Sequence, residues 1–189
     1  MSKACAQRWR CLGLRTRIPT PGFAGLLLLR TEQALATNSI KQRSQITGNA
    51  GLYYAAWQLS RRGWHVMPTV RNARGSDLIV VNDDETVFTG IQSKALSKRQ
   101  AVGLGTSIDH LRSDWWVITV RANTDEPVCY IMALADVRAL AKQDQNGGSW
   151  WLDPPAYDRA EYREAWDRIG SGHRLAQNSY VTKVPPERG

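Results

Sequence analysis

Apolar positions follow two rhythms along the chain. From Thr47 onward, Leu52, Ala55, Ala56 and Leu59 recur at intervals of three and four, the period of a helix that buries one face. Thr47 is a candidate N-cap, Arg61 and Arg62 suit the negative end of the helix dipole, and Gly63 can take the left-handed conformation that stops a helix, so a helix is predicted over about 47–62. The period then shortens. Residues 64–67 read as a short strand closed by Pro68, 71–76 as a polar basic loop, 77–81 and 86–94 as two β-branched runs around the turn 82–85, which together predict a β-hairpin. Residues 115–120 and 128–132 predict two further strands, 134–142 a helix, and 158–169 another helix after Pro154 and Pro155, which exclude one. The segment 103–107 reads as a flexible connection; as a phosphate-binding nest it lacks the lysine and the spacing of a P-loop. Helices before and after a run of strands indicate an α/β fold with a mixed β-sheet flanked by helices.

Outside that core the pattern fades. Residues 1–45 contain Pro19 and Pro21 and sustain no period, so they read as a basic, loosely ordered extension; 46–170 form the domain and 171–189 a polar tail. A chain of 189 residues, 42% hydrophobic and 22% charged, has the size and composition of one ordinary folded core. The apolar run 22–29 is far shorter than the ~20 residues of a membrane helix, and Arg30 and Glu32 break it before any signal-cleavage site. No membrane association is expected. Cys5, Cys11 and Cys129 form neither a CxxC pair nor a disulfide framework, which suits a reducing, cytoplasmic compartment. His65, His110 and His173 are too dispersed for an imidazole metal cage or a catalytic triad.

Charge is distributed unevenly. Residues 1–76 hold twelve Lys and Arg against the single acid Glu32, an excess of 12 − 1 = +11, and since the whole chain carries +8 the remainder carries 8 − 11 = −3. A basic half of this kind attracts polyanions, nucleic acid above all, although a solvated basic surface would carry the same charge.

The hairpin concentrates the chemistry. Its second strand returns alongside the start of the first, bringing Gln92 and Lys94 towards Asp77. Gln92 and Lys94 are two apart and share a face, while Ile91 and Ser93 point the other way. A plain ion pair between Lys94 and Asp77 at the sheet rim is the structural alternative. Arg71 and Arg74 before Asp77, and Lys98 and Arg99 after Lys94, are candidate phosphate contacts. In Trp115-Trp116 and Trp150-Trp151, strand alternation buries one ring of each pair and leaves the other to stack on bases.

The helix beginning at Gly51 and ending at Gly63, the segment 71–80 with Asp77, the Ile91-Gln92-Ser93-Lys94 run and the tyrosine–tryptophan segment 162–170 occur in an order that resembles the PD-(D/E)xK nuclease superfamily. The Gln-x-Lys form is similar to type IV restriction endonuclease catalytic domains and small uncharacterised bacterial relatives. The resemblance spans about residues 46–170. It implies a restriction-endonuclease-like three-layer core and metal-dependent hydrolysis of phosphodiester bonds, in DNA, by an endonuclease. On that reading Asp77, the Gln92 side-chain oxygen and the Ser93 main-chain carbonyl bind Mg²⁺ or Mn²⁺, and Lys94 orients the attacking water and offsets phosphoryl charge. DNA is then the partner, with a homodimer as a candidate assembly. The chain departs from the pattern at Leu52, where the superfamily commonly carries a glutamate, and no acid occurs between Ala34 and Ser76. A catalytically degenerate nucleic-acid-binding module of the same fold is the alternative.

Overall fold

The structure is a computed structural model that describes residues 22–70 and 75–173. Contacts divide the chain into two units, residues 1–41 and 42–189. The described residues of the first are helical, as the opening part of α1 (Gly22–Ser60). The helix thus begins well before Thr47. Residues 26–47 contain neither glycine nor proline, so no backbone constraint interrupts it there. Thr47 is an interior residue and not a cap: its hydroxyl donates to the Arg43 carbonyl one turn back at 3.0 Å and accepts from the Asn123 amide at 2.8 Å. The other end behaves as predicted. Gly63 takes φ +87° and donates to Ser60 at 3.0 Å, while Trp64 donates back to Leu59 at 3.3 Å, the two bonds of a Schellman cap.

The strands form a five-stranded mixed sheet in the order β1 (His65–Pro68), β2 (Leu78–Val81), β3 (Phe88–Leu96), β5 (Trp115–Val120), β6 (Val128–Ala133). Every neighbouring pair is antiparallel except β3 and β5. The predicted hairpin is the β2–β3 pair, with Leu78 opposite Ile91 and Val81 opposite Phe88. Alternation along each strand divides the core in two. Ala55 and Leu59 of α1 pack with Leu78, Val80, Ile91, Val117 and Ile131 on one sheet face. Leu96, Trp116, Ile118 and Met132 occupy the other, under Val137 of α2 (Leu134–Leu140) and a small second sheet.

That second sheet, of order β4 (Val102–Gly105), β8 (Trp150–Leu152), β7 (Lys142–Gln143), replaces the flexible connection expected at 103–107. Val102 and Leu104 are buried and alternate with Gly103 and Gly105, so the glycines mask a period of two. Trp151, 37% exposed, lies across Gly103.

No long helix forms over 158–169. Pro154 and Pro155 instead start the short α3 (Pro154–Tyr157), where the N–H groups they lack have no helical partner anyway. The chain then turns and pairs with the outer edge of β6: Ile131 donates to the Tyr162 carbonyl at 2.8 Å and Glu164 to the Cys129 carbonyl at 2.7 Å. A helix would put Tyr162 and Trp166 on one side. Here Tyr162 enters the α2-side core and Trp166 the α1-side core, which only a chain wrapping the sheet edge can achieve. The tail expected from 171 lies, beyond His173, outside the described residues. Among the described residues no helix is long and apolar enough to cross a membrane.

Helix α1 meets the sheet through Gly51. A Cβ at this position would collide with Ala95 of β3 and come within 3.4 Å of Thr119 of β5. Gly51→Val is therefore expected to lower unfolding free energy by about 1–3 kcal/mol through overpacking, read as a fall in the urea midpoint with little change in slope; an unchanged midpoint would contradict this packing.

Candidate functional site

The β2–β3 ladder ends at Leu78 and Ile91, and Asp77 lies one residue before it. Main-chain bonds fix the position on both sides: the Asp77 N–H donates to the Ile91 carbonyl, and Thr69 donates to the Asp77 carbonyl, each at 2.9 Å. The Asp77 carboxylate accepts hydrogen bonds through Oδ2 from the Gln92 side-chain amide and from the Ser93 N–H, the latter at 2.9 Å. Gln92 and Lys94 share a face, and both are half-buried. Lys94 does not pair with Asp77; among the described residues its ammonium has no salt bridge and sits 5.6 Å from the centre of the Trp116 ring, a cation–π contact. Trp116 lies opposite Gln92 in the parallel β3–β5 register.

Two buried polar atoms at this place have no hydrogen-bond partner among the described residues: the Trp116 indole Nε1 and the Ser93 hydroxyl. Strand alternation puts them on opposite sides of the sheet, Trp116 beside Lys94 and Ser93 towards α1. A buried donor without an acceptor is costly, so the Trp116 N–H marks a place where a water or a ligand oxygen would be held.

A supporting layer that the sequence reading did not single out fixes the loop before Asp77. Ser113 is buried; it donates to the Gly75 carbonyl and exchanges a hydrogen bond with Ser76 at 3.0 Å. Asp114, at the mouth of β5, accepts from the Thr89 hydroxyl and the Gly90 N–H, both at 3.0 Å. Gly90 leaves room for Ser76, whose hydroxyl a Cβ there would strike. The signal existed: an isolated glycine inside a strand pattern often marks close approach of another chain segment. Arg112 lies against Gly75 and adds a cation at this end.

The remaining candidates are spread more widely. Arg71 and Arg74 lie outside the described residues. Lys98 and Arg99 are exposed just beyond β3, and Arg99 pairs with Asp158. Leu52 is half-buried against the α1-side core, on the sheet face opposite Gln92 and Lys94. Of the tryptophan pairs, Trp116 is buried, Trp115 and Trp150 are half-buried and Trp151 is exposed. Cys129 is free and buried, and burial pushes its thiol up to about 12, which removes it as a nucleophile.

Among the described residues no three His, Cys, Asp or Glu side chains gather into a metal-binding group. What Asp77 and Gln92 offer is hard oxygen: Asp77 Oδ1 and Gln92 Oε1 accept no hydrogen bond among the described residues. One carboxylate and one amide fit a cation that keeps most of its own water, the habit of Mg²⁺, and do not fit a transition-metal cage.

No protein-family model matches the chain, and neither does any curated protein. Among solved structures, the chain is similar to the Holliday junction resolvase Hjc of the archaeal hyperthermophile Archaeoglobus fulgidus, with TM-score 0.42 and 11% identity over 59% of this chain and 87% of that one. It is also similar to a bacterial homing endonuclease, with TM-score 0.46 and 18% identity over 66% of this chain and 91% of that one.

The Arg99–Asp158 pair gives a pH signature. The Tyr130 hydroxyl, donating at 2.6 Å, and then the Arg99 guanidinium hold the Asp158 carboxyl below its ordinary value of 3.8. A depressed folded-state value means stability that is present above 3.8 and lost as pH falls through the lower folded value. Asp158→Asn should remove this part of the acid unfolding limb, as followed by thermal melts across acid pH.

Proposed function

We propose that the protein is a metal-dependent endonuclease that hydrolyses phosphodiester bonds in DNA at Asp77, Gln92 and Lys94. The observation that carries this reading is the Asp77–Gln92 cross-strand contact with Lys94 on the same face, unpaired among the described residues and held by Trp116. An unpaired, half-buried ammonium is expensive in a purely structural role, and it is suited to meeting negative charge. In the proposed reaction Lys94 orients the attacking water and offsets charge that develops on the phosphoryl oxygens. Asp77, Gln92 and the Ser93 carbonyl would hold Mg²⁺ or Mn²⁺, which supplies Lewis-acid polarisation of the phosphoryl group when bound. The Trp116 N–H is available to a substrate or solvent oxygen beside Lys94. Arg71 and Arg74, shortly before Asp77 in the sequence, are the proposed phosphate contacts, with Lys98 and Arg99 just beyond β3 as further backbone contacts. A free, buried thiol suits a reducing cytoplasm.

Leu52 favours one second reading, a nucleic-acid-binding module of the same fold that has lost cleavage. It extends the apolar layer under α1 where the resembled superfamily carries a carboxylate. Such a module would bind DNA with strong salt dependence and cut none of it.

Plasmid DNA incubated with the protein and Mg²⁺ or Mn²⁺ should be nicked or linearised. Asp77→Ala and Lys94→Ala should each lower the rate by about a hundredfold or more, with circular dichroism unchanged; cleavage surviving both substitutions would remove the assigned site. Salt-sensitive DNA binding by wild type with no cleavage in Mg²⁺ or Mn²⁺ would establish the second reading in place of the first.

A further inference from the structure

The parallel strands β3 and β5 end side by side, and beyond their carboxyl ends lies a cleft of about 570 Å³. Small-molecule sites occupy roughly 300–1,000 Å³, and open α/β sheets receive ligands outside the carboxyl ends of their parallel strands. Lys98, Arg99, Arg121 and Arg163 line this cleft, and no carboxylate does. Asp158 is bonded to two of the lining residues, accepting from the Arg99 guanidinium and the Tyr130 hydroxyl. Of the four lining cations, Lys98, Arg121 and Arg163 form no salt bridge among the described residues. Like charges gathered in one concavity repel each other, and an oxyanion relieves that repulsion.

The backbone adds a second observation. Arg121 has φ +57°, a left-handed conformation unusual for a residue with a side chain. It is locked there: the Thr124 N–H and hydroxyl both donate to the Arg121 carbonyl, at 3.0 and 2.9 Å, and Ala122 donates to Leu96 at 3.0 Å. Strain of this kind collects at ligand clamps, where the surroundings over-determine it. Tyr130, the one aromatic side chain in the wall, is buried and packs edge-on against Tyr157, which leaves no open ring for a base to stack on. The chemistry offered is planar guanidinium forks, which match phosphate.

We propose that this cleft is a phosphate-binding site, separate from Asp77, Gln92 and Lys94, that takes a phosphate group either free or carried by a nucleic-acid strand. None of those three residues lines it, so the site does not depend on the hydrolytic reading. The test is calorimetric titration of the full-length protein with inorganic pyrophosphate and, separately, with a short single-stranded oligonucleotide. The proteins compared are wild type, the double variant Arg121→Gln/Arg163→Gln, and Lys142→Gln as an exposed single-charge control on β7. The double variant should bind about tenfold or more weakly, with its salt slope for the single-stranded oligonucleotide lowered by about 1.4. Lys142→Gln should bind like wild type. Loss in the pyrophosphate arm identifies a free phosphate as a ligand, and loss in the oligonucleotide arm alone identifies the nucleic-acid backbone. Absence of binding in both arms, or equal binding by wild type and a folded double variant, would overturn the site whether or not the protein cleaves DNA.

Discussion

The register of β2 on β3 is the constraint on which the rest depends. With Leu78 set against Ile91, Asp77 sits just beyond the ladder and its carboxylate meets the Gln92 side-chain amide. A slip of one residue would turn Leu78 and Val80 out of the α1-side core and carry Asp77 to the wrong face. Burial therefore fixes the chemistry: the same apolar residues that fasten α1 to the sheet hold the polar cluster in place on the opposite side. The cost of misplacing a fully buried leucine, about 1.5–3 kcal/mol, guards the position of a half-buried carboxylate.

Much of this was legible in the sequence, for identifiable reasons. The hairpin, β5 and β6 are short β-branched runs between polar turns, and their signals are local. The Gly63 stop is local as well. What escaped were features set by distant partners. β4 looks like a glycine-rich linker until β8 lies against it, because Gly103 and Gly105 carry no side chain to show the alternation. The 162–166 segment has aromatics at helical spacing, yet Tyr162 and Trp166 serve opposite faces of the sheet. Thr47 resembled a cap because capping and mid-helix back-bonding use the same hydroxyl, and Asn123, far along the chain, completes the interior arrangement.

The candidate site divides in the same way. The Asp77–Gln92 contact, and Lys94 on the Gln92 face, follow from the hairpin and the strand period. Ser76, Ser113 and Asp114 could not, since their roles come from loops that meet only after the sheet has formed. Lys94 is the instructive case: charge alone predicts a pairing with Asp77, whereas the ammonium rests on an indole face. Aromatic contact lets a cation stay partly buried without neutralising it.

The segment that wraps β6 has one further consequence. By occupying the outer hydrogen-bonding groups of Cys129 and Ile131, it caps one end of the sheet. The other end is β1, only four residues long and finished by a proline. A sheet blunted at both margins offers little template for strand-by-strand stacking, so crowding or overexpression should not readily drive this domain into fibrils through its native edges.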